Sequence, residues 1–266
     1  MRSDMKGRLL MQKMPVLFVG HGSPMNAIEV NPFTSTWKTV FEGIPKPKAI
    51  LSVSAHWYVP GTRVSDASQL KTIYDMYGFP PELYAVSHPA PGAPELALEV
   101  GRMLKVPVSV DNTWGLDHGT WSVLHVVDPE AKIPVFQLSV DKSAEPADHY
   151  ALGRQLAVLR EQGVLIFGSG NVVHNLRQVD FGMAGGFNWA ESFDRTIRDW
   201  VVARNDAEVT NFNSLGGMAR MAVPTPDHFL PLLYVLGAAD ASDKVSVFND
   251  TCTMGSLSMT GFLFKA

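Results

Sequence analysis

Four short apolar runs, at residues 16–19, 49–53, 133–138 and 164–167, constrain this sequence most. Each is rich in β-branched or aromatic residues and ends near Gly, Ser or His. That is the pattern of strands covered on both faces. Helical segments lie between and after them. Residues 94–105 open with Pro94 and carry Leu96, Val100, Met103 and Leu104 at helical spacing, and residues 146–161 set Leu152, Leu156 and Leu159 on one side. Residues 187–204 and 228–238 complete the helices. Strands alternating with helices predict an α/β fold, a three-layer sandwich around a largely parallel central sheet. Two final strands are expected at 244–249 and 256–264, as a hairpin that would make the sheet mixed. No repeat or linker divides the chain, so residues 14–266 are expected to form a single catalytic domain.

With 266 residues, 46% of them hydrophobic and 18% charged, the chain can bury a sizeable core. Its formal net charge of −4 and its lack of a Lys/Arg run argue against a nucleic-acid partner. The longest apolar stretch, 229–239, is well short of the roughly 20 residues that span a bilayer, so no membrane association is expected. Cys252 is the only cysteine, which rules out an intramolecular disulfide or a cysteine zinc cluster and fits a cytoplasmic protein. Residues 1–13 read as a loose leader, too weakly apolar for a signal peptide, with Met14 a candidate start. Nothing suggests a sticky stripe, and a monomer is expected.

Three of the eight histidines fall just past predicted strands. His21 lies in Gly20-His21-Gly22-Ser23-Pro24, His56 in Ser54-Ala55-His56-Trp57, and His174 follows the bare turn Gly168-Ser169-Gly170. Ligands of open α/β sheets bind at the carboxyl ends of the strands. If these strands are neighbours, the three imidazoles face one crevice. His228, in Pro224-Thr225-Pro226-Asp227-His228, sits at an expected helix start that could turn its ring toward the same place. His118 lies in a Gly- and Trp-rich turn before an apolar helix. Imidazole clusters suit Zn or Fe(II) and leave positions open for water and substrate. A lone histidine after a strand is ordinarily a hydrogen-bonded structural residue, and by that standard His125 reads as a core or groove residue and His149 as solvated. His88, in a Pro-rich loop, could line the pocket. The glycine patterns match neither a phosphate-binding loop nor a nucleophile elbow.

Five motifs in order, Gly20-His21-Gly22-Ser23-Pro24-Met25-Asn26, Ser54-Ala55-His56-Trp57, Asp117-His118-Gly119-Thr120-Trp121, Gly168-Ser169-Gly170-Asn171-Val172-Val173-His174-Asn175-Leu176 and Pro224-Thr225-Pro226-Asp227-His228-Phe229-Leu230-Pro231-Leu232, span nearly the whole chain. Together they resemble the DOPA 4,5-extradiol dioxygenase family, a branch of the class III (LigB-type) ring-cleaving enzymes. The resemblance implies one divalent metal per chain, held by His21, His56 and His228, with His in place of the carboxylate of the wider class. Fe(II) is the ion expected for dioxygenase activity, and Zn(II) is a plausible bound ion. By the same resemblance His174 is the acid/base or a fourth ligand, and His118 a pocket histidine that acts on oxygen. The implied partners are O2 and a catechol such as DOPA, opened to a semialdehyde. Trp57, Trp121, Tyr77 and Phe79 are candidates for an aromatic wall around the ring, weighed against ordinary core packing. The rival chemistry is a zinc hydrolase on the same fold, in which three imidazoles activate water and His174 is the base.

Overall fold

In a computed structural model that describes residues 13–266, all four apolar runs are strands of one six-stranded sheet. The elements used below run β1 (Val16–Gly20), α1 (Pro32–Glu42), β2 (Ala49–Ser54), α2 (Pro94–Met103), α3 (His118–Val127), β3 (Val135–Gln137), α4 (Pro146–Leu156), β4 (Val164–Gly170), α5 (Asn188–Val202), α6 (Leu230–Ala238), β5 (Lys244–Phe248) and β6 (Gly261–Lys265). The spatial order is β3-β2-β4-β1-β6-β5. β3, β2, β4 and β1 are parallel, while β6 pairs antiparallel with both β1 and β5. The sheet is therefore mixed and largely parallel, as expected. Residues 1–12 of the expected leader lie outside the described residues. Lys13 is tied down through its Nζ, 2.6 Å from Asp240 Oδ2.

Alternation along the strands divides the core in two. Val16, Phe18, Leu51, Val53, Val164 and Ile166 pack on the face covered by α2, α4, α5 and α6. Leu17, Val19, Ile50, Leu165 and Phe167 pack on the opposite face, with Trp37 of α1 and Trp121, Val123 and Leu124 of α3. Three layers follow directly from this period of two. No described helix is long and apolar enough to cross a membrane. Helix α6, buried along its whole length, contains most of the longest apolar stretch.

Two expectations need correction. Residues 256–264 do not form one strand: Leu257–Ser258 pairs with Cys252–Thr253, and only Gly261–Lys265 joins the main sheet. The break comes at Ser258 and Thr260, whose hydroxyls both donate to the buried Asp194 carboxylate of α5, at 2.5 and 2.7 Å. His149 is fully buried, not solvated, with Nδ1 3.0 Å from Tyr234 Oη. The cause is close packing of α4 on α6 through glycines. A Cβ on Gly153 would lie 2.3 Å from the Tyr234 carbonyl oxygen, and one on Gly237 would lie 2.2 Å from that of Tyr150.

Burial lowers the His149 imidazole to about 4 from its ordinary 6.5. Between those values the unfolded chain binds the extra proton and the folded chain does not, so stability rises with pH through this window and is lost as pH falls from 6.5 toward 4. One such group corresponds to about 2–3 kcal/mol. Urea unfolding at pH 7 and pH 4.5 should therefore show a smaller acid loss for His149→Gln than for the unsubstituted protein.

Candidate metal centre

β2, β4 and β1 are adjacent, so the crevice at their carboxyl ends receives His21 and His56 directly. β4 admits His228. Gly168 and Gly170 leave it so bare that Cβ atoms there would lie 2.8 Å from the Pro231 carbonyl oxygen and 2.1 Å from that of His228. The turn before α6 presses onto the strand, and Asn171 N–H donates to the His228 carbonyl at 2.9 Å. A Cβ on Gly20 would lie 2.7 Å from the main chain of Met259, and Gly22 has a φ of +60°. The glycines around His21 thus serve close backbone approach and a left-handed turn.

The ring centroids of His21, His56 and His228 are separated by 5.1, 5.3 and 4.9 Å. Three imidazoles bound tetrahedrally through Nε2 at about 2.0–2.1 Å would have centroids about 5.2 Å apart and nitrogens about 3.3 Å apart. The observed Nε2–Nε2 distance of His21 and His56 is 3.2 Å. Each Nδ1 faces an oxygen: Ser169 Oγ at 3.0 Å for His21, Asp75 Oδ2 at 3.2 Å for His56, and the Asp227 carboxylate for His228. Ser169 Oγ donates to the Gly119 carbonyl at 2.5 Å, so it accepts the proton of His21 Nδ1. The hydrogen bonds at Nδ1 of His21 and His228 leave their Nε2 lone pairs free, and His228 Nε2 is buried without a partner. The His56–Asp75 contact is a close approach, Asp75 Oδ2 having no hydrogen-bond partner. These donors fit a mononuclear divalent metal.

Two more histidines lean on this trio. His118 Nδ1 is 3.1 Å from Asp75 Oδ1, and its ring is centred 3.9 Å from that of His56. His174 stacks on His228 with centroids 3.4 Å apart and planes 5° from parallel. His118 also has a donor atom within 4.8 Å of those of His21 and His56. Its ring lies too close to that of His56 for the two to share an ion in the tetrahedral manner. His88 is not part of the cluster. It is fully buried, and its ionisable neighbours are Asp128 and His125, at the other end of α3 from His118. His125 is half-buried, as expected.

Burial and then the neighbouring imidazoles hold His21 and His228 well below the ordinary histidine range. Burial first also lowers His56 to about 3 and His174 to about 4. All four are neutral at pH 7, the form that binds metal or accepts a proton. Burial pushes the Asp75 carboxyl up, but its contacts with His118 and His56 outweigh this and hold it below the usual carboxylate range. Asp117 is raised to about 6 by burial and by Asp75. It caps α3, accepting from Thr120 N–H at 3.1 Å, and also accepts from Ser54 Oγ and Trp114 Nε1.

Of the aromatic candidates, Trp57 and Trp121 are buried and Tyr77 is 92% exposed. Phe79 lines a cleft of about 290 Å³ with Asn26 and Met259. That cleft adjoins the histidines, because Asn26 Nδ2 donates to the His21 carbonyl at 3.0 Å. Sequence reasoning missed Asp75 and Ser169 as partners of the imidazoles. Ser169 lay within a quoted motif, whereas Asp75 sits in an irregular loop with no signature.

A buried cluster of neutral imidazoles at the carboxyl edge of a parallel sheet defines a metal-dependent α/β enzyme. The family described as the catalytic LigB subunit of aromatic ring-opening dioxygenase matches residues 16–264. The chain is 44% identical over 254 residues to the 4,5-DOPA dioxygenase extradiol of Escherichia coli strain K12, covering 93% of each protein. It is 36% identical over 258 residues to that of Beta vulgaris, covering 94% of this chain and 96% of the relative. A solved structure of an uncharacterised protein from Escherichia coli K12 matches with a TM-score of 0.81 at 39% identity, over 94% of this chain and 99% of that one. The chain belongs to the LigB family of aromatic ring-opening dioxygenases, and it is an extradiol ring-cleaving enzyme.

Ser169→Ala leaves two buried partners, His21 Nδ1–H and the Gly119 carbonyl, without their hydrogen bonds. A loss of about 1–3 kcal/mol is expected in urea unfolding of the metal-free protein.

Proposed function

We propose that the protein opens the ring of a catechol such as DOPA, using one Fe(II) held by His21, His56 and His228, with His174 and His118 as proton carriers. The observation that carries this reading is the near-equal separation of the three rings, together with an oxygen at every Nδ1. The names of the relatives support DOPA as a substrate. When bound, Fe(II) would supply a Lewis acid that a deprotonated catechol can chelate and a route for electron density from catechol to O2. Three neutral imidazoles also suit Zn(II), so a zinc-loaded and catalytically silent form is expected alongside the iron form. The single cysteine supports a cytoplasmic setting, and the acidic net charge argues against nucleic acid as a partner. A monomer remains the expected state.

His174 is assigned as acid/base and not as a fourth ligand. An imidazole ligates through a lone pair in its own ring plane. The His174 ring stacks face to face on His228, with centroids 3.4 Å apart and planes 5° from parallel, so its in-plane lone pairs are not aimed at the point His228 Nε2 addresses. Held neutral by burial, His174 can take a proton from a catechol hydroxyl as the substrate enters. His118 keeps Nδ1 toward Asp75 and, when protonated at both nitrogens, offers Nε2–H as a donor to the negative charge that develops on oxygen during ring attack. Ring opening then gives the semialdehyde.

The test is oxygen uptake with a catechol panel after anaerobic loading with Fe(II), paired with metal analysis. A chelator should abolish uptake, and Fe(II) but not Zn(II) should restore it. His174→Ala should keep one metal per chain and lose about 10²–10⁴-fold in kcat. Loss of the metal in that variant would make His174 a ligand, and unchanged uptake would remove it from the chemistry.

A further inference from the structure

The carboxylate that lies within 3.2 Å of the Nδ1 atoms of two imidazoles in the centre, that of Asp75, comes from neither a strand nor a helix. Asp75 is carried by the irregular excursion between residues 65 and 80. Its Oδ2 lies 3.2 Å from His56 Nδ1 and its Oδ1 lies 3.1 Å from His118 Nδ1, while the His118 backbone N–H donates to the same Oδ1 at 2.9 Å. The loop is docked on both sides of this residue. Ile73 N–H donates to the Leu116 carbonyl at 2.8 Å, Trp121 Nε1 donates to the Ile73 carbonyl at 2.9 Å, and Tyr74 Oη donates to the Val86 carbonyl at 2.8 Å. The approach is close enough that a Cβ on Gly115 would lie 2.3 Å from the Lys71 carbonyl oxygen.

We infer that Asp75 is a positioning residue that couples the metal ligand His56 to the proton carrier His118. Asp75 Oδ2 and His118 Nδ1 are buried without a hydrogen-bond partner, so these are close approaches. A small rotation of each ring would give each Nδ1–H one oxygen of this carboxylate. So paired, it turns the Nε2 of His56 toward the ion and leaves the Nε2 of His118 for oxygen. An amide of the same shape accepts through one oxygen only, so it serves one ring and presents N–H groups to the other. Ser169 serves one ring, and Asp227 hydrogen-bonds His228 with His174 also within 4.8 Å. Asp75 makes the geometry of His56 and proton delivery by His118 depend on the same group. The inference rests on the ligand and proton-carrier roles proposed above.

Asp75→Asn is expected to weaken Co(II) binding, measured by chelator competition, about 10–100-fold and to alter the visible Co(II) spectrum. At saturating Fe(II) its kcat should fall at least about tenfold, with KM for the catechol within about threefold. In a His118→Ala background, Asp75→Asn should weaken Co(II) binding by the same factor yet lower kcat no further. Asp75→Glu keeps the charge but moves both oxygens. It should show intermediate losses in both quantities, and it decides the matter if the Asn variant does not fold. Tyr74→Phe removes an anchor of the same loop away from the histidines and should leave the Co(II) spectrum unchanged. Unchanged Co(II) affinity in the Asp75 variants, additive kcat losses in the double variant, or a Tyr74→Phe protein that reproduces the metal defect overturns the proposal. His56→Ala separates the two levels. If it loses Co(II) while Asp75→Asn does not, the coupling fails and the ligand assignment stands; if it binds Co(II) like the unsubstituted protein, both fail.

Discussion

Two imidazole nitrogens 3.2 Å apart in a buried crevice, with His21 Nδ1 hydrogen-bonded to Ser169 and His56 Nδ1 3.2 Å from Asp75, bring lone pairs toward one another. Such an arrangement is repulsive by itself and favourable around a cation, and most of the surrounding structure maintains it. Burial keeps the rings neutral, so protons do not compete strongly for the Nε2 positions at physiological pH. Ser169 and Asp227 fix the tautomers of His21 and His228. Metal binding to such a site is coupled to the stability of the whole fold, because the unfolded chain offers no comparable cluster.

The same constraint explains the composition of β4. A central strand gains most from β-branched and aromatic residues, and Val164, Ile166 and Phe167 conform. Its last three, Gly168-Ser169-Gly170, do not, because that stretch must pass between His21 and the turn that carries His228. Glycine here gives up strand propensity for close approach of backbone. Ser169 supplies the one hydroxyl that both accepts from His21 and donates to Gly119. Helix α6 can reach the strand only because of these glycines, so core packing on one face of the sheet and the third imidazole have a common origin.

The strands, the layer order and two of the imidazoles were legible in the sequence because they follow from local period. The apolar runs have lengths typical of strands, and His21 and His56 come directly after two of them. His228 was carried by family resemblance, since no spacing shows that Gly170 admits a turn from 58 residues further along the chain. Asp75 was not legible. It lies between Tyr74 and Met76 in a loop without periodicity, and its function depends on docking against Leu116 and Trp121. His149 was misread for a similar reason: charged neighbours suggested a solvated face, but Gly153 and Gly237 bring two helices together over it. Periodicity reports which face of an element is apolar, not how closely a partner can approach.

The charge balance of the proposed assignment bears on the substrate. Three neutral imidazoles leave both positive charges of a divalent ion uncompensated by direct ligands, unlike a centre with a carboxylate ligand. Asp75 and Asp227 supply two negative charges, each beyond an imidazole, where they act on the ion at longer range. An anionic chelator that binds directly therefore meets an undiminished Lewis acid and gains more from it than from a site already neutralised by its own ligands. A catechol becomes such a chelator only on losing protons. His174, neutral and stacked beside His228, has the protonation state and the position to receive one of them. In that assignment a histidine in place of a carboxylate ligand would shift the burden of charge compensation from the protein to the substrate, and proton removal by His174 would be a condition of tight binding as well as of catalysis.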